Sequence, residues 1–221
     1  MNDHNISLGR AQESALATNK VLKNTYMLLS MTLIFSGVMA LVGMSAGLGH
    51  GVSLVSSLVA IGLLWFVLPR TANSSAGIPV LFAITGLLGL GLGPMLNFYM
   101  AINPSIVSTA LGGTGVIFLG LSGYALTTRK DFSFMGGFLM VGLMVVLVAA
   151  LANIFLQMPV MQLVISGAIV MIMSGLILYQ TSAIIHGGET NYIMAAASLF
   201  LSLLNMFQAL LHLLGAFGGD D

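Results

Sequence analysis

Five polar residues, Asn191, Ser198, Ser202, Asn205 and His212, punctuate the last hydrophobic stretch of the chain at intervals of seven, four, three and seven. At about 100° per residue they fall within roughly 80° of one another on a helix, with Gln208 just outside the arc. Such a stripe cannot face hydrocarbon, where each unpaired amide or hydroxyl costs several kcal/mol. Two kinds of chemistry remain open to it. It can hydrogen-bond neighbouring helices, or it can line a polar pathway through a bundle built around this helix.

Two further groupings offer other chemistry. Gly120-Leu-Ser122-Gly123 has the GxSG form of rhomboid-type intramembrane serine proteases, with His212 as the nominal base. The two residues sit at about five and about twenty residues from the same membrane surface, a difference in depth of roughly 22 Å at 1.5 Å per residue. A base must come within about 3.2 Å of its proton donor, so the dyad is excluded and no enzyme is expected. His212 reads instead as a hydrogen-bonded bundle residue. His186 and Glu189 flank Gly187-Gly188, but two ligands do not make a metal site, and neither metal nor cofactor is expected. They read as a turn into the last helix, with a partner contact as the functional alternative.

The elements that position these residues follow from composition. A chain of 221 residues with 58% hydrophobic and 5% charged residues lies far from the soluble average of about 25% charged, and its nearest partner is the lipid bilayer. Six basic and six acidic residues balance, which leaves no footprint for nucleic acid. The absence of cysteine excludes disulfides and thiolate chemistry. At about 20 residues per span, the apolar stretches read 24–46, 51–69, 76–100, 104–127, 133–156, 160–184 and 192–216. The expected fold is an all-α bundle of seven transmembrane helices, residues 24–216, between a polar tail at 1–23 and a short one at 217–221. The first tail lacks hydrophobic periodicity and is expected to be unfolded in water.

Arg10, Lys20, Lys23, Arg70, Arg129 and Lys130 all fall in the first tail or in the loops after spans two and four. Those segments share one side of the membrane. The positive-inside rule places that side, with the N-terminus, in the cytoplasm, and the C-terminus on the outside. Asp131 or Ser133 is placed to cap span five, and Thr190 or Asn191 span seven. Gly86, Gly89 and Gly93 share one face of span three, allowing close backbone approach, and Pro94 is expected to kink it.

Gly86-Leu-Leu-Gly89, Leu92-Gly93-Pro94-Met-Leu96 and Ala110-Leu-Gly-Gly-Thr114-Gly-Val-Ile-Phe118 resemble the Bax-inhibitor (transmembrane BAX inhibitor motif) family. Leu126-Thr-Thr-Arg-Lys-Asp-Phe-Ser-Phe-Met-Gly136, Ala152-Asn-Ile-Phe-Leu156 and His186-Gly-Gly-Glu-Thr-Asn-Tyr192 are similar to its bacterial YccA branch. The resemblance extends from Lys20 to near the end of the chain. It implies seven helices with the last one central and the other six around it, the place the polar stripe indicates independently.

In the calcium-leak members, the resemblance implies, paired aspartates on spans six and seven form a pH-sensitive latch assisted by an arginine near span two. Here Gln180 and Ser202 occupy the acidic positions, Asn205 follows, and Arg70 roughly matches the arginine. Without carboxylates the coupled titration has nothing to act on, and calcium loses its usual charged oxygen ligands. A calcium or other cation leak is therefore the alternative expectation. The YccA branch implies a different first one: binding and modulation of the membrane-anchored AAA+ protease FtsH. Lys20, Lys23, Arg129, Lys130, His186 and Glu189 are the residues placed to meet such a partner.

Overall fold

The computed structural model describes the backbone of residues 2–218 and the side chains of 16–218. Its regular elements are helices: α1 (Asn2–Ser45), α2 (His50–Thr71), α3 (Gly77–Ile102), α4 (Pro104–Thr128), α5 (Met135–Leu156), α6 (Pro159–Ile185) and α7 (Tyr192–Phe217). Each is long and apolar enough to cross a bilayer, α1 through Leu16–Ser45. The chain is a multi-pass membrane protein of seven helices. From the second span onward, the limits expected from the sequence agree with these to within two residues.

The first tail departs from expectation, because α1 starts at Asn2 rather than near residue 24. Extending a helix already nucleated in the span fixes one residue per added hydrogen bond, and no proline interrupts the stretch. Arg10 lies among the residues whose side chains are outside the described set.

Two helices are irregular for local reasons. In α2 the Leu63–Val67 turn widens to a π-helix, with the Leu68 N–H bonded to the Leu63 carbonyl. Pro69 follows, and its ring must clear the carbonyl of Trp65 four residues back. In α3 the helical runs Gly77–Gly91 and Gly93–Ile102 meet at Leu92. Pro94 has no N–H to give the Leu90 carbonyl, and the Ser53 hydroxyl of α2 donates to the neighbouring Gly91 carbonyl.

Packing is organised around α7. In its most apolar stretch 61% of the residues are buried, against 17% in α2 and in α5. Leu199, Phe200, Met206 and Leu211 are almost wholly enclosed. The main neighbours of α7 are α1, α3, α4 and α6, while α2 packs on α3 and α5 on α6. The central helix therefore has four principal neighbours instead of six, and the two most apolar spans stand outside. Exposed Phe138, Val141, Val145 and Val148 on α5 face outward, where lipid is a suitable solvent. The glycine face of α3 makes the expected close approach, and its partner is α1: Gly89 lies against the Ser36 backbone and Gly93 against Gly43.

Candidate functional site

At the end of the bundle that carries the basic residues, α7 starts on a fixed anchor. Asn191 is its N-cap: the side-chain oxygen accepts from the N–H groups of Ile193 and Met194 at 2.9 and 3.1 Å. The amide nitrogen donates to the Ala72 carbonyl at 3.1 Å and to Asn73 Oδ1 at 2.8 Å. Glu189 Oε1 accepts the Asn191 N–H at 2.7 Å. One residue thus caps the helix and ties it to the α2–α3 connection. Thr190, the other expected cap, lines a cleft of about 400 Å³ here with Ser74, Ile78 and Tyr192.

The polar stripe meets α6 one level deeper. Ser202, 2% exposed, donates from Oγ to Gln180 Oε1 at 3.2 Å and shares that proton with the Ser198 carbonyl at 3.1 Å. Gln180 and Ser202 are therefore in contact, as an uncharged amide–hydroxyl pair. Asn205 folds back on its own helix and donates to the Leu201 carbonyl at 2.8 Å. Gln208 is half-buried. Arg70 is exposed and its guanidinium donates to the Phe66 carbonyl at the widened turn of α2, so it is engaged locally and not with Gln180 or Ser202.

Next to Gln180, Thr181 brings three helices together. Its hydroxyl lies 3.4 Å from Tyr26 Oη of α1 and 3.5 Å from Ser122 Oγ of α4. His212 belongs to the other end of the bundle, where Nδ1 lies 2.9 Å from Tyr99 Oη and the two rings meet edge to face. Ser122 and His212 thus have separate partners on separate helices. The GxSG serine packs against Thr181 of α6, not against His212.

The connection between α4 and α5 is held down by α6. Ser182 Oγ accepts the Phe132 N–H at 3.0 Å, and His186 Nε2 lies 3.2 Å from the Arg129 carbonyl. Arg129 takes the left-handed conformation, φ 50°, that ends α4. Neither Asp131 nor Ser133 caps α5, because Phe134 occupies that position. Asp131 Oδ1 instead accepts the Ser133 N–H at 2.8 Å, forming a turn one step earlier. That backbone hydrogen bond, then one from the Ser133 side chain, with His186 adding a smaller attraction, holds the Asp131 carboxyl below its ordinary value. Lys20, Lys23, Arg129, Lys130 and His186 are exposed and Glu189 is half-buried.

Thr181, Tyr26, Ser182 and Tyr99 escaped the sequence reading because none of them recurs along its own helix at the spacing that marked α7, and their partners lie on other segments. The four-residue interval from Ser182 to His186 was the available signal. Among the described residues no three His, Asp or Glu side chains gather as a metal site.

The family described as inhibitor of apoptosis-promoting Bax1 matches residues 18–219 of this chain. The chain belongs to the Bax inhibitor family. It is 52% identical to a membrane protein of Vibrio cholerae serotype O1, over 95% of each chain. It is 49% identical to the modulator of FtsH protease YccA of Escherichia coli K12, over 96% of this chain and 97% of the other. A Pseudomonas aeruginosa protein is 44% identical over the whole of both.

Proposed function

We propose that this protein resides in a bacterial inner membrane with its basic end in the cytoplasm, where it binds and modulates the membrane-anchored AAA+ protease FtsH. The observation that carries this reading is the near-full-length similarity, at 49% identity, to a protein named for that role. Its non-enzymatic character fits the separate environments of Ser122 and His212. The geometry adds a plausible means. Connections α2–α3, α4–α5 and α6–α7 are cross-linked to one another and to α6 and α7 through Asn191, Ser182 and His186. They form one fixed platform on the side where a tethered ATPase works, beside the protruding start of α1.

The test is capture of the protease from membranes by the full chain and by a form lacking residues 1–23, followed by calcium-flux measurement in liposomes. Capture by the full chain and weak flux are expected. A protein that conducts calcium readily and captures no protease would reverse the reading in favour of a cation leak.

A further inference from the structure

His186 closes α6 and faces the α4–α5 connection with both ring nitrogens engaged. Nδ1 lies 2.9 Å from the Ser182 carbonyl oxygen and 3.3 Å from the Ser182 hydroxyl, and Nε2 lies 3.2 Å from the Arg129 carbonyl oxygen. The buried Ser182 hydroxyl accepts the Phe132 N–H at 3.0 Å and directs its own proton to the Lys130 carbonyl at 3.3 Å.

A carbonyl oxygen can only accept, and a hydroxyl has one proton to give. With the Ser182 proton on Lys130, both imidazole nitrogens must donate, which requires the imidazolium. In the neutral tautomer protonated at Nδ1, a nitrogen lone pair faces the Arg129 oxygen and that contact is lost. In the tautomer protonated at Nε2, the Nδ1 lone pair faces the Ser182 carbonyl oxygen, and of the protein groups around it the Ser182 hydroxyl is the one that can donate, which takes its proton from Lys130. Either way, deprotonation removes one of the bonds that hold residues 129–132 to α6.

We propose that His186 is a proton-operated clasp, which when charged locks the α4–α5 connection onto the end of α6 and when neutral loosens it. Arg129 and Lys130 on that connection oppose the imidazolium, and Asp131 beside them favours it. Glu189 is turned to the Asn191 N–H, α7 presents the uncharged Asn191 and Tyr192, and Lys20 and Lys23 of α1 are exposed. The full set of bonds is present while the ring carries both protons, and one is lost when it gives one up. The exposed pair Arg129–Lys130 becomes more mobile at the higher pH. This device follows from the fold and does not depend on which partner the platform meets.

Amide hydrogen exchange of the full chain in lipid nanodiscs, corrected for the intrinsic pH dependence of exchange, tests it. Protection of the Phe132 amide is expected to be about fivefold greater at pH 5.5 than at pH 8, and nearly pH-independent in His186→Gln. Equal protection at both pH values in the wild type overturns the proposal, as does an unchanged pH dependence in the variant. If His186→Gln fails to fold, a second measurement leaves the histidine in place. The chain has no cysteine, so spin labels at Thr128→Cys and Gly188→Cys report the separation of the two segments. A distance distribution that is broader at pH 8 than at pH 5.5 supports the clasp, and one that stays fixed refutes it.

Discussion

The Gln180–Ser202 contact joins two helices through a neutral donor and acceptor, so no proton need be gained or lost for it to form or break. Calcium flux through the wild-type protein in liposomes is accordingly expected to be weak and to lack an acid-range transition. Gln180→Asp combined with Ser202→Asp puts two carboxyls within reach of each other, where they titrate as a coupled pair. The double variant should acquire a pH-dependent flux. A steep acid-range transition already present in the wild type would sink this account and move attention to the half-buried Glu189 or to His212. Ser202→Ala is a milder change: it removes one interhelical hydrogen bond and is expected to lower stability by about 1 kcal/mol, read as a lower midpoint of thermal unfolding in detergent.

The α1–α3 pair shows how an element's sequence sets helix separation. A Cβ added at Gly43 would lie 2.5 Å from the Leu90 carbonyl oxygen, and one at Gly89 would run into the Ser36 backbone. Neither neighbour can move without shifting a helix. Gly89→Ala is expected to destabilise the protein by about 2 kcal/mol or more through overpacking. Gly120, on α4, has open space where its Cβ would stand, so Gly120→Ala should be neutral or stabilising by up to about 1 kcal/mol. Equal effects of the two substitutions on the unfolding midpoint would show that the close approach is not what holds α1 to α3.

For the whole molecule, orientation and the N-terminal extension belong together. A reporter fused after Asp221 is expected to read as periplasmic, because all six basic residues lie at or before the other end of the bundle. A cytoplasmic reading would require one span to be re-entrant. The extension is a continuation of α1, so its reach at 1.5 Å per residue is about 33 Å for residues 2–23, well below the roughly 80 Å of a fully extended tail. It remains long enough to present an end to a tethered ATPase, while extraction of the first span is resisted by its apolar length and its packing on α3 and α7. Deleting residues 1–20 should abolish degradation of this protein by the protease yet leave it inserted. Unchanged degradation would shift the grip to Arg129–Asp131 or His186–Glu189.

Seven spans, the limits of the last six and the central place of α7 were determined by sequence alone, because bilayer thickness fixes span length and lipid tolerates no unpaired polar stripe. The glycine face of α3 was legible for a similar reason: small residues at helical spacing have few uses other than close approach. Tertiary structure decided what the sequence could not rank. Whether α2 and α5 touch the centre depends on how seven apolar cylinders share a limited perimeter, and although these two are the most apolar spans, hydropathy alone does not say which neighbours they pack on. The partners of Gln180, Thr181, His186 and His212 come from residues 22, 155, 57 and 113 positions away, and no local pattern encodes a contact made across the bundle. The start of α1 was misjudged because polarity was read as disorder, whereas a helix nucleated in the membrane extends through polar residues at little further cost.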